Sequence, residues 1–486
     1  MDNKDSLKEK TVKGAGWSAA EAFLGQGVSF IVGIVLARIL SPAEYGLIGI
    51  VTIFTTVLTG IVDSGFSNAL IRKQKVTPVD YNTMFLTNLV FSIVLFGLLY
   101  ICAPAIASFF GRPELISLTR VMGCILIIQA LSQVQNTILT KKIDFKTKTK
   151  ASVISAVASG IIGIGMALTG FGVWALVGQL LSRQLLYTLF LWFYVHWWPS
   201  LRFSGNSFRY MWGFGWKLMF SGLLGNIWNQ LYQVVVGKYY SAATLGQYSR
   251  AKDYANIFSQ NLTLIVQRVT YPILSEVQDD KDRMVAALRK VIKVTMFVTA
   301  VLMISLGAVA EPLMYCLVGP KWHEAATYMP LICISMSLYP LHAINLNMLQ
   351  VQGRTDIYLY IEIIKKVIAF GPILLGIFVN IYWMLIGTII TGIISFFLNS
   401  YYTGKRLGYS SWMQLRDIAP SYVVSLIIAL SVFFIKYLPI SNWIILSVQI
   451  VLGTIVFFVV CENSRLEEYL EVKGMAMSYI KRFKKK

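Results

Sequence analysis

Residues 38–46 read Arg-Ile-Leu-Ser-Pro-Ala-Glu-Tyr-Gly, and residues 238–246 read Lys-Tyr-Tyr-Ser-Ala-Ala-Thr-Leu-Gly. A basic residue, Ser, Ala and Gly recur at the same places in the two segments, 200 positions apart. The same offset, to within one residue, relates Gly14-Ala-Gly-Trp17 to Gly213-Phe-Gly-Trp216. These matches indicate an internal repeat, a feature that sets the architecture of a whole chain.

The chain that carries this repeat is strongly apolar. Of its 486 residues, 56% are hydrophobic and only 14% are charged, and the mean hydropathy is +0.64. This composition excludes a soluble globular protein, a disordered chain and a disulfide-stapled domain. Apolar stretches long enough to cross a bilayer centre on residues 14–40, 43–63, 82–102, 116–138, 151–170, 173–195, 213–237, 252–270, 291–310, 327–348, 358–379, 382–402, 419–438 and 442–461. We therefore predict an all-α integral membrane protein with about 14 transmembrane helices.

The basic residues orient these spans. The chain has 43 Lys and Arg against 23 Asp and Glu, a net charge of +20. If the N-terminus is cytoplasmic, most of the basic residues fall on the cytoplasmic side, as in most multi-pass proteins. We therefore expect both termini in the cytoplasm, and we expect no nucleic-acid partner.

The repeat divides the chain. Six predicted spans separate the matching segments, and an even number preserves orientation, so the repeat is parallel. We predict a cytoplasmic N-terminal segment at 1–13, an N-lobe at 14–205, a C-lobe at 206–404, two extra helices within 405–461 and a basic amphipathic tail at 462–486. Two parallel six-helix lobes around a central cavity are typical of alternating-access transporters.

Features of an enzyme are missing from the sequence. The loops are shorter than the roughly 50 residues that a folded domain needs. The sequence contains no Walker A pattern, no zinc-ligand spacing and no HExxH motif. The five Cys and three His are scattered. We therefore expect no catalytic activity, no bound metal and no cofactor, with a proton or a sodium ion as the only candidate coupling ion.

Three motifs carry a family resemblance. Ala37–Gly46 resembles the turn after the first helix of bacterial polysaccharide exporters, Asp63–Ile71 resembles their motif closing the second helix, and Gly172–Leu176 resembles their turn before the sixth. The chain thus resembles the Wzx-type lipid-linked oligosaccharide flippases, in the polysaccharide transporter branch of the MOP (multidrug/oligosaccharidyl-lipid/polysaccharide) exporter superfamily. The span pattern extends the resemblance over nearly the whole chain.

The resemblance implies a substrate, a location and partners. It implies transport of an undecaprenyl-pyrophosphate-linked oligosaccharide, a repeat unit of O-antigen, capsule or exopolysaccharide, from the cytoplasmic to the periplasmic leaflet. It implies the bacterial inner membrane, contact with membrane lipids, and a polysaccharide polymerase and chain-length machinery as further partners. The MOP-like fold, with two six-helix lobes around a cavity, agrees with the repeat.

Three alternatives remain open. A multidrug/cation antiporter of the same superfamily favours an aromatic, acidic cavity over a basic, amide-rich one. A flippase for the peptidoglycan precursor is closely related, although the motifs fit the polysaccharide branch better. A membrane polysaccharide polymerase or ligase is expected to carry a large periplasmic loop, which the sequence does not have.

Polar side chains follow one face of several predicted spans. Amides both donate and accept hydrogen bonds, and hydroxyls do the same, so such faces suit the hydroxyl groups of a sugar. Packing between helices is the alternative explanation. The candidate sugar-lining residues are Thr52, Thr55, Thr59, Gln129, Gln133, Asn136, Asn226, Asn229, Gln230, Gln233 and Asn261.

Ionisable residues in or beside the spans are candidates for pyrophosphate binding and ion coupling. Arginine matches phosphate geometry with paired hydrogen bonds, although rim cations also extend to lipid headgroups. The candidate pyrophosphate contacts are Arg38, Arg183, Lys217, Arg250, Lys252 and Arg268. Glu21 and Asp63 are candidate coupling sites, because a carboxyl group in a low dielectric binds a proton more readily.

Overall fold

The computed structural model describes residue 17 and residues 24–63, 65–277 and 279–483. In these ranges the chain forms helices and no strand, which confirms the predicted all-α fold. Glu21 and the predicted N-terminal segment lie outside the described residues. The helices are α1 (Leu24–Ile39), α2 (Pro42–Asp63), α3 (Phe66–Arg72), α4 (Pro78–Phe110), α5 (Leu115–Lys141), α6 (Phe145–Leu168), α7 (Val173–Tyr194), α8 (Gly205–Tyr239), α9 (Ala242–Glu276), α10 (Lys281–Ala308), α11 (Ala310–Leu317), α12 (His323–Ser337), α13 (Tyr339–Val351), α14 (Thr355–Ile368), α15 (Phe370–Phe378), α16 (Ile381–Leu407), α17 (Ser411–Phe433), α18 (Asn442–Ser464) and α19 (Glu467–Phe483).

The helices lie where the sequence predicts membrane spans. Over the described ranges, nine helical stretches are long and apolar enough to cross a membrane: α2 with α3, α4, α5, α6, α10, α12 with α13, α16, α17 and α18. The remaining predicted spans coincide with α1, α7, α8, α9 and the pair α14 and α15. The protein is therefore a multi-pass membrane protein, while the count of fourteen spans stays a prediction.

Local sequence explains where several helices begin and end. At the start of α4, Thr77 Oγ1 accepts a hydrogen bond from the Asp80 amide, and the Asp80 carboxylate accepts one from the Thr77 amide. This reciprocal cap satisfies two amide groups that have no partner inside the helix. Gly65, between α2 and α3, and Gly111, after α4, each have φ of +66°. Glycine adopts this left-handed conformation without steric cost, so the chain turns there.

The described residues up to Gly246 form one compact unit. Within it, α6 packs against α7, α4 packs against α5, and α2 packs against both α5 and α8. A buried cluster draws on α3, α4, α5 and α8 and contains Phe66, Leu70, Met84, Val134 and Met211. The second helix therefore has two long, polar-striped helices, α5 and α8, as direct neighbours.

The described residues from Gln247 onward form a second compact unit. Here α10 packs against α12, α17 and α19, α15 against α16, and α17 against α18. Its main buried cluster includes Leu288, Ile292, Met296, Leu341 and Ile344. The lobe limits predicted from the repeat, with a boundary near residue 205, stay a prediction.

Within the predicted tail at 462–486, residues Glu467–Phe483 form helix α19, and one side of this helix packs against the protein. The Tyr469 ring is 3% exposed and lies 6.5 Å from the ring of Phe297 and 5.9 Å from that of Phe457. Lys290 of α10 pairs with Glu471 at 2.8 Å. Aromatic packing and ion pairing thus hold α19 against α10 and α18.

The other side of α19 is exposed. Leu470, Met475 and Met477 are about half exposed, which suits the predicted position on the inner leaflet. Near the start of the helix, a hydrogen bond to the Glu462 carboxylate raises the pKa of the Lys473 ammonium group above its usual value. The positive charge on Lys473 is therefore maintained at physiological pH.

Substitution of Tyr469 by alanine is expected to release α19 from the bundle. The variant loses the ring contacts and the 2.7 Å hydrogen bond from the Tyr469 hydroxyl to Glu462. We expect the amide groups of α19 to exchange at least about tenfold faster, measured by hydrogen–deuterium exchange in nanodiscs. Leu470→Ala, at the exposed neighbouring position, is the matched control. Equal exchange in the two variants would show that Tyr469 does not hold the helix.

Candidate functional site

Two of the predicted polar faces meet in the first unit. Helices α2 and α8 pack against each other, and a Cβ atom placed on Gly60 would lie 2.6 Å from the Asn226 amide nitrogen. Glycine at position 60 therefore makes room for the amide of Asn226 beside the threonine-rich face of α2. The sequence predicts each face separately, and the structure brings the two faces together at Gly60 and Asn226. We call the polar residues of these two faces the α2–α8 wall: Thr52, Thr55, Thr56, Thr59, Asp63, Asn226, Asn229, Gln230 and Gln233.

The hydroxyl groups on the α2 side of the wall are not equivalent. Thr55 is 4% exposed, and its hydroxyl lies 3.3 Å from the Val51 carbonyl oxygen and 3.2 Å from that of Thr52. Thr59 is half-buried and donates to the Thr56 carbonyl oxygen at 3.0 Å. Of the predicted sugar-lining threonines, Thr52 and Thr59 are therefore the accessible ones, and Thr55 serves the packing of α2.

The α8 side of the wall carries the amides. Asn226, Gln230 and Gln233 are half-buried and Asn229 is exposed. The Oε1 atom of Gln230 is buried and, within the described part of the chain, has no hydrogen-bond partner. A buried carbonyl oxygen without a partner is costly, and a hydroxyl group of a bound ligand would satisfy it.

Helix α5 places a third set of amides next to α2. Gln129 and Asn136 are half-buried, and Gln133 is buried. The Oδ1 atom of Asn136 is also buried without a hydrogen-bond partner among the residues described. The Trp192 indole donates to the Leu131 carbonyl oxygen at 2.8 Å and fixes α5 against α7. Amides from two neighbouring helices thus flank α2 in the same unit.

Arg183 of α7 is tied to the first helix. Its Nη1 atom donates to the Ser29 hydroxyl at 2.9 Å, and Ser29 donates to the Gly25 carbonyl oxygen at 2.7 Å. An arginine has five N–H donors, so this one bond leaves donors for an anion. Asp63, the candidate coupling carboxylate at the end of α2, accepts a hydrogen bond from the Ser67 hydroxyl at 3.2 Å.

The other candidate cations are dispersed. Arg38, at the end of α1, and Lys217, in α8, are exposed. In the second unit, the Arg250 guanidinium lies 5.9 Å from the ring centroid of Trp322, a cation–π contact, while Arg268 is exposed. Arg250 and Arg268 are 18 residues apart on α9, or about 27 Å along a helix. Arg250 and Arg268 are therefore too far apart to bind one pyrophosphate together.

The remaining α9 candidates differ in their surroundings. Lys252 is half-buried, and Asp253 beside it is exposed. The Asn261 amide donates to the Ile257 carbonyl oxygen of its own helix at 2.6 Å. Asn261 therefore has one donor engaged by its own helix.

Two residues of the site were not singled out from the sequence. Gly60 leaves room for the Asn226 amide, and Ser29 holds the Arg183 side chain. A small residue within a span is a known sign of close helix packing, so Gly60 could have been singled out from the sequence. No sequence pattern distinguishes Ser29. In the described part of the chain, no group of three His, Cys, Asp or Glu is placed to hold a metal ion.

Known proteins resemble this chain over most of its length. The family described as "Polysaccharide biosynthesis protein" matches residues 35–327, more than half of the chain. The chain belongs to the polysaccharide biosynthesis protein family. This confirms the family resemblance that the three motifs indicated.

Relatives of this chain come from several bacteria. It is 27% identical over 372 residues to the succinoglycan biosynthesis transport protein ExoT of Rhizobium meliloti (strain 1021), which covers 76% of this chain and 75% of the relative. It is 24% identical to the lipopolysaccharide biosynthesis protein WzxC of Escherichia coli (strain K12), over 86% of this chain and 88% of the relative.

Solved structures resemble this chain in fold. The lipid II flippase MurJ, in an inward closed conformation, matches with a TM-score of 0.70 and 16% identity, over 93% of this chain and 99% of that chain. A MATE family multidrug transporter of the MOP superfamily, in an inward-facing conformation, matches with a TM-score of 0.61 and 15% identity, over 80% and 99%. The predicted MOP-like membrane fold is therefore confirmed.

Proposed function

We propose that this protein is a flippase. It moves an undecaprenyl-pyrophosphate-linked oligosaccharide, the repeat unit of a surface polysaccharide, from the cytoplasmic to the periplasmic leaflet of a bacterial inner membrane. The transport relatives and the family support the substrate class. The observation in the structure that carries the proposal is the close contact of Gly60 with Asn226, which joins a hydroxyl face and an amide face.

The chemistry of the wall matches the head of such a lipid. Sugar hydroxyls need partners that both donate and accept, and the Asn226 and Gln230 amides with the Thr52 and Thr59 hydroxyls supply both. The buried Gln230 Oε1 atom gains a donor when a sugar hydroxyl approaches. Arg183 supplies fixed positive charge for a pyrophosphate on a neighbouring helix of the same unit.

The transport itself requires two conformations and no covalent chemistry. A substrate shifts the balance between inward-open and outward-open states only if it binds them differently. Both termini lie in the cytoplasm in this scheme, and Asp63 is the described candidate for coupling to a proton or sodium gradient. A polysaccharide polymerase and the chain-length machinery act on the transported lipid afterwards.

Gly60→Ala tests the wall without dismantling the helix pair. The added methyl group meets only the end of a flexible side chain, so Asn226 moves away at small cost and the fold persists. We expect the flipping rate of a polyprenyl-pyrophosphate oligosaccharide in proteoliposomes to fall about fivefold to tenfold. The reason is that the displaced Asn226 side chain no longer fits the α2–α8 wall to the substrate. The rate is followed by enzymatic trapping of the lipid that reaches the outer leaflet.

Gly97→Ala is the matched control, because nothing lies within 4 Å of a Cβ atom at that helical glycine. Gly97→Ala should flip the lipid at the native rate. If both variants flip normally, the wall does not touch the substrate. If the native protein moves no lipid-linked sugar but exports organic cations, the antiporter alternative replaces the proposal.

A further inference from the structure

Two pairs of aromatic rings lie at one end of the second unit. The rings of Tyr328 and Tyr382 have centroids 5.3 Å apart and planes at 68° to each other. The rings of Tyr315 and His323 are stacked, with centroids 6.2 Å apart and planes 26° apart. Helix α12, which carries Tyr328 and His323, packs against both α11 and α16. In the predicted topology, the loops before α12 and α16 lie on the outer side of the membrane, so both ring pairs are at the outer end.

The Tyr382 ring is held in place although it is 42% exposed. Its hydroxyl group forms a 2.9 Å hydrogen bond with the Thr327 hydroxyl, and its ring packs in a T-shaped arrangement with the buried ring of Tyr328. Both contacts come from α12 and fix the ring at the start of α16. A ring that is already rigid loses little conformational freedom when a ligand stacks on it. The exposed part of Tyr382 therefore suits a flat apolar surface.

A carboxylate connects the two ring pairs. The Tyr328 hydroxyl donates a hydrogen bond to Glu324 Oε2 at 3.1 Å, and Glu324 directly follows His323 in the chain. Glu324 and His323 are both exposed. A carboxylate has about four acceptor positions, so this one hydrogen bond leaves room for further donors. The Tyr315 hydroxyl pairs with His323 Nδ1, and the Nε2 atom of the same ring is a second position that donates or accepts.

This combination of groups matches a sugar. One face of a pyranose ring consists of C–H groups, which pack on an aromatic ring, and its rim carries hydroxyl groups, which donate to a carboxylate. A hydrogen bond to a charged acceptor is about twice as strong as one between neutral groups. A phosphate group is disfavoured beside Glu324, because both groups are negatively charged. The cluster therefore suits the sugars of a lipid-linked oligosaccharide and not its pyrophosphate.

An aromatic belt is the alternative explanation for exposed tyrosines on a membrane protein. Such belts place single rings at the level of the lipid headgroups. The Tyr382 ring instead belongs to a cluster in which Tyr328 links it to an exposed carboxylate. Glu324 repels the phosphate groups of lipid headgroups, whereas it accepts hydrogen bonds from the hydroxyl groups of a sugar. The chemistry of the cluster thus favours a sugar over a lipid headgroup.

We propose that this cluster binds the sugars of an oligosaccharide on the outer side of the membrane. We call it the outer platform, and its members are Tyr315, His323, Glu324 and Tyr382. The Tyr382 ring stacks on the sugar, and Glu324 and His323 bind its hydroxyl groups. The substrate class rests on the proposed flippase function, and the outer position follows from the predicted topology. The platform adds a sugar-binding place in the second unit to the α2–α8 wall of the first.

Saturation-transfer NMR on the full chain in nanodiscs tests the platform. The probes are neutral, soluble tri- to pentasaccharides with the repeat-unit structures of bacterial surface polysaccharides. We expect at least one of them to bind, with the strongest saturation on its ring C–H protons. Tyr382→Ala should weaken the binding of that sugar at least about tenfold, and Glu324→Gln about threefold to fivefold. If no oligosaccharide binds the native protein at millimolar concentration, the proposal is wrong.

Tyr239→Ala is the matched control, because Tyr239 is 56% exposed at the predicted outer end of α8, in the first unit. This variant should bind the sugar with native affinity. Tyr382→Phe keeps the ring and removes only the hydrogen bond to Thr327, so it should weaken binding only about twofold to threefold. Equal losses in Tyr382→Ala and Tyr239→Ala would indicate an aromatic belt and overturn the platform. If Tyr382→Ala does not fold, Glu324→Gln decides, and native affinity in that variant overturns the proposal.

Two outcomes separate the platform from the proposed function. If the native protein binds a soluble sugar through Tyr382 but flips no pyrophosphate lipid, the platform stands and the flippase assignment is wrong. If it flips the lipid but binds no soluble sugar, the reverse holds. A membrane-impermeant thiol reagent gives the side: after the five native cysteines are replaced, Glu324→Cys should react from the outer side. Reaction only from the cytoplasmic side would overturn the outer position.

Discussion

Arg289→Ala is expected to lower the free energy of unfolding by about 2–4 kcal/mol. The Arg289 guanidinium donates two parallel hydrogen bonds to the Asp417 carboxylate, each 2.6 Å long, and the Tyr409 hydroxyl donates a third at 2.7 Å. The Asp417 side chain is only 5% exposed. Without Arg289, a buried carboxylate loses its positive partner, and this loss costs more than the ion pair contributes in water.

The chain contains a matched control for this prediction. Arg354 forms the same two-bond pair with Asp356, at 2.8 and 2.5 Å, but the two side chains are 38% and 62% exposed. Arg354→Ala should lower the free energy of unfolding far less than Arg289→Ala, because water solvates the carboxylate that remains. Steric trapping in bicelles measures both free energies of unfolding. Equal losses would show that burial of Asp417 is not what makes its pair strong.

The sequence predicts the helices and the fold well, because apolar runs of the length of a bilayer leave few alternatives to a membrane helix. Each predicted span coincides with a helix or a pair of helices in the described part of the chain. The pairing of distant residues was not predictable in this way. Arg289 and Asp417 are 128 positions apart, and no local pattern says that α10 packs against α17.

For the candidate site too, the sequence predicts which residues share a helix face but not which residues of different helices meet. Helical periodicity groups Thr52, Thr55 and Thr59 on one face. It does not tell which of these side chains is buried, and in the structure that side chain is Thr55. The repeat predicts that the turns at 38–46 and 238–246 share one side of the membrane. It does not predict the close approach of Gly46 to Ala242 that the structure contains, because an even number of spans between the turns leaves their distance open. That distance depends on how the first unit packs.

Phe66→Ala is expected to cause the largest loss of stability in the first unit, about 3–5 kcal/mol. Phe66 is the first residue of α3 and is fully buried. Its ring lies 6.3 Å from that of Phe208 and 6.2 Å from that of Trp212, both edge-on. Truncation leaves a cavity among large aromatic rings that cannot all move in to fill it, so the lost contacts are not replaced.

The matched control is Phe378→Ala, where the ring is 79% exposed. This variant should change the free energy of unfolding by no more than about 0.5 kcal/mol. Phe66→Leu should fall between the two, because it keeps part of the buried volume. Since α3 packs against α8, which carries Asn226, Phe66→Ala should also slow flipping, whereas Phe378→Ala should not. A Phe66→Ala protein as stable as Phe378→Ala would show that the aromatic cluster does not hold α3 against α8.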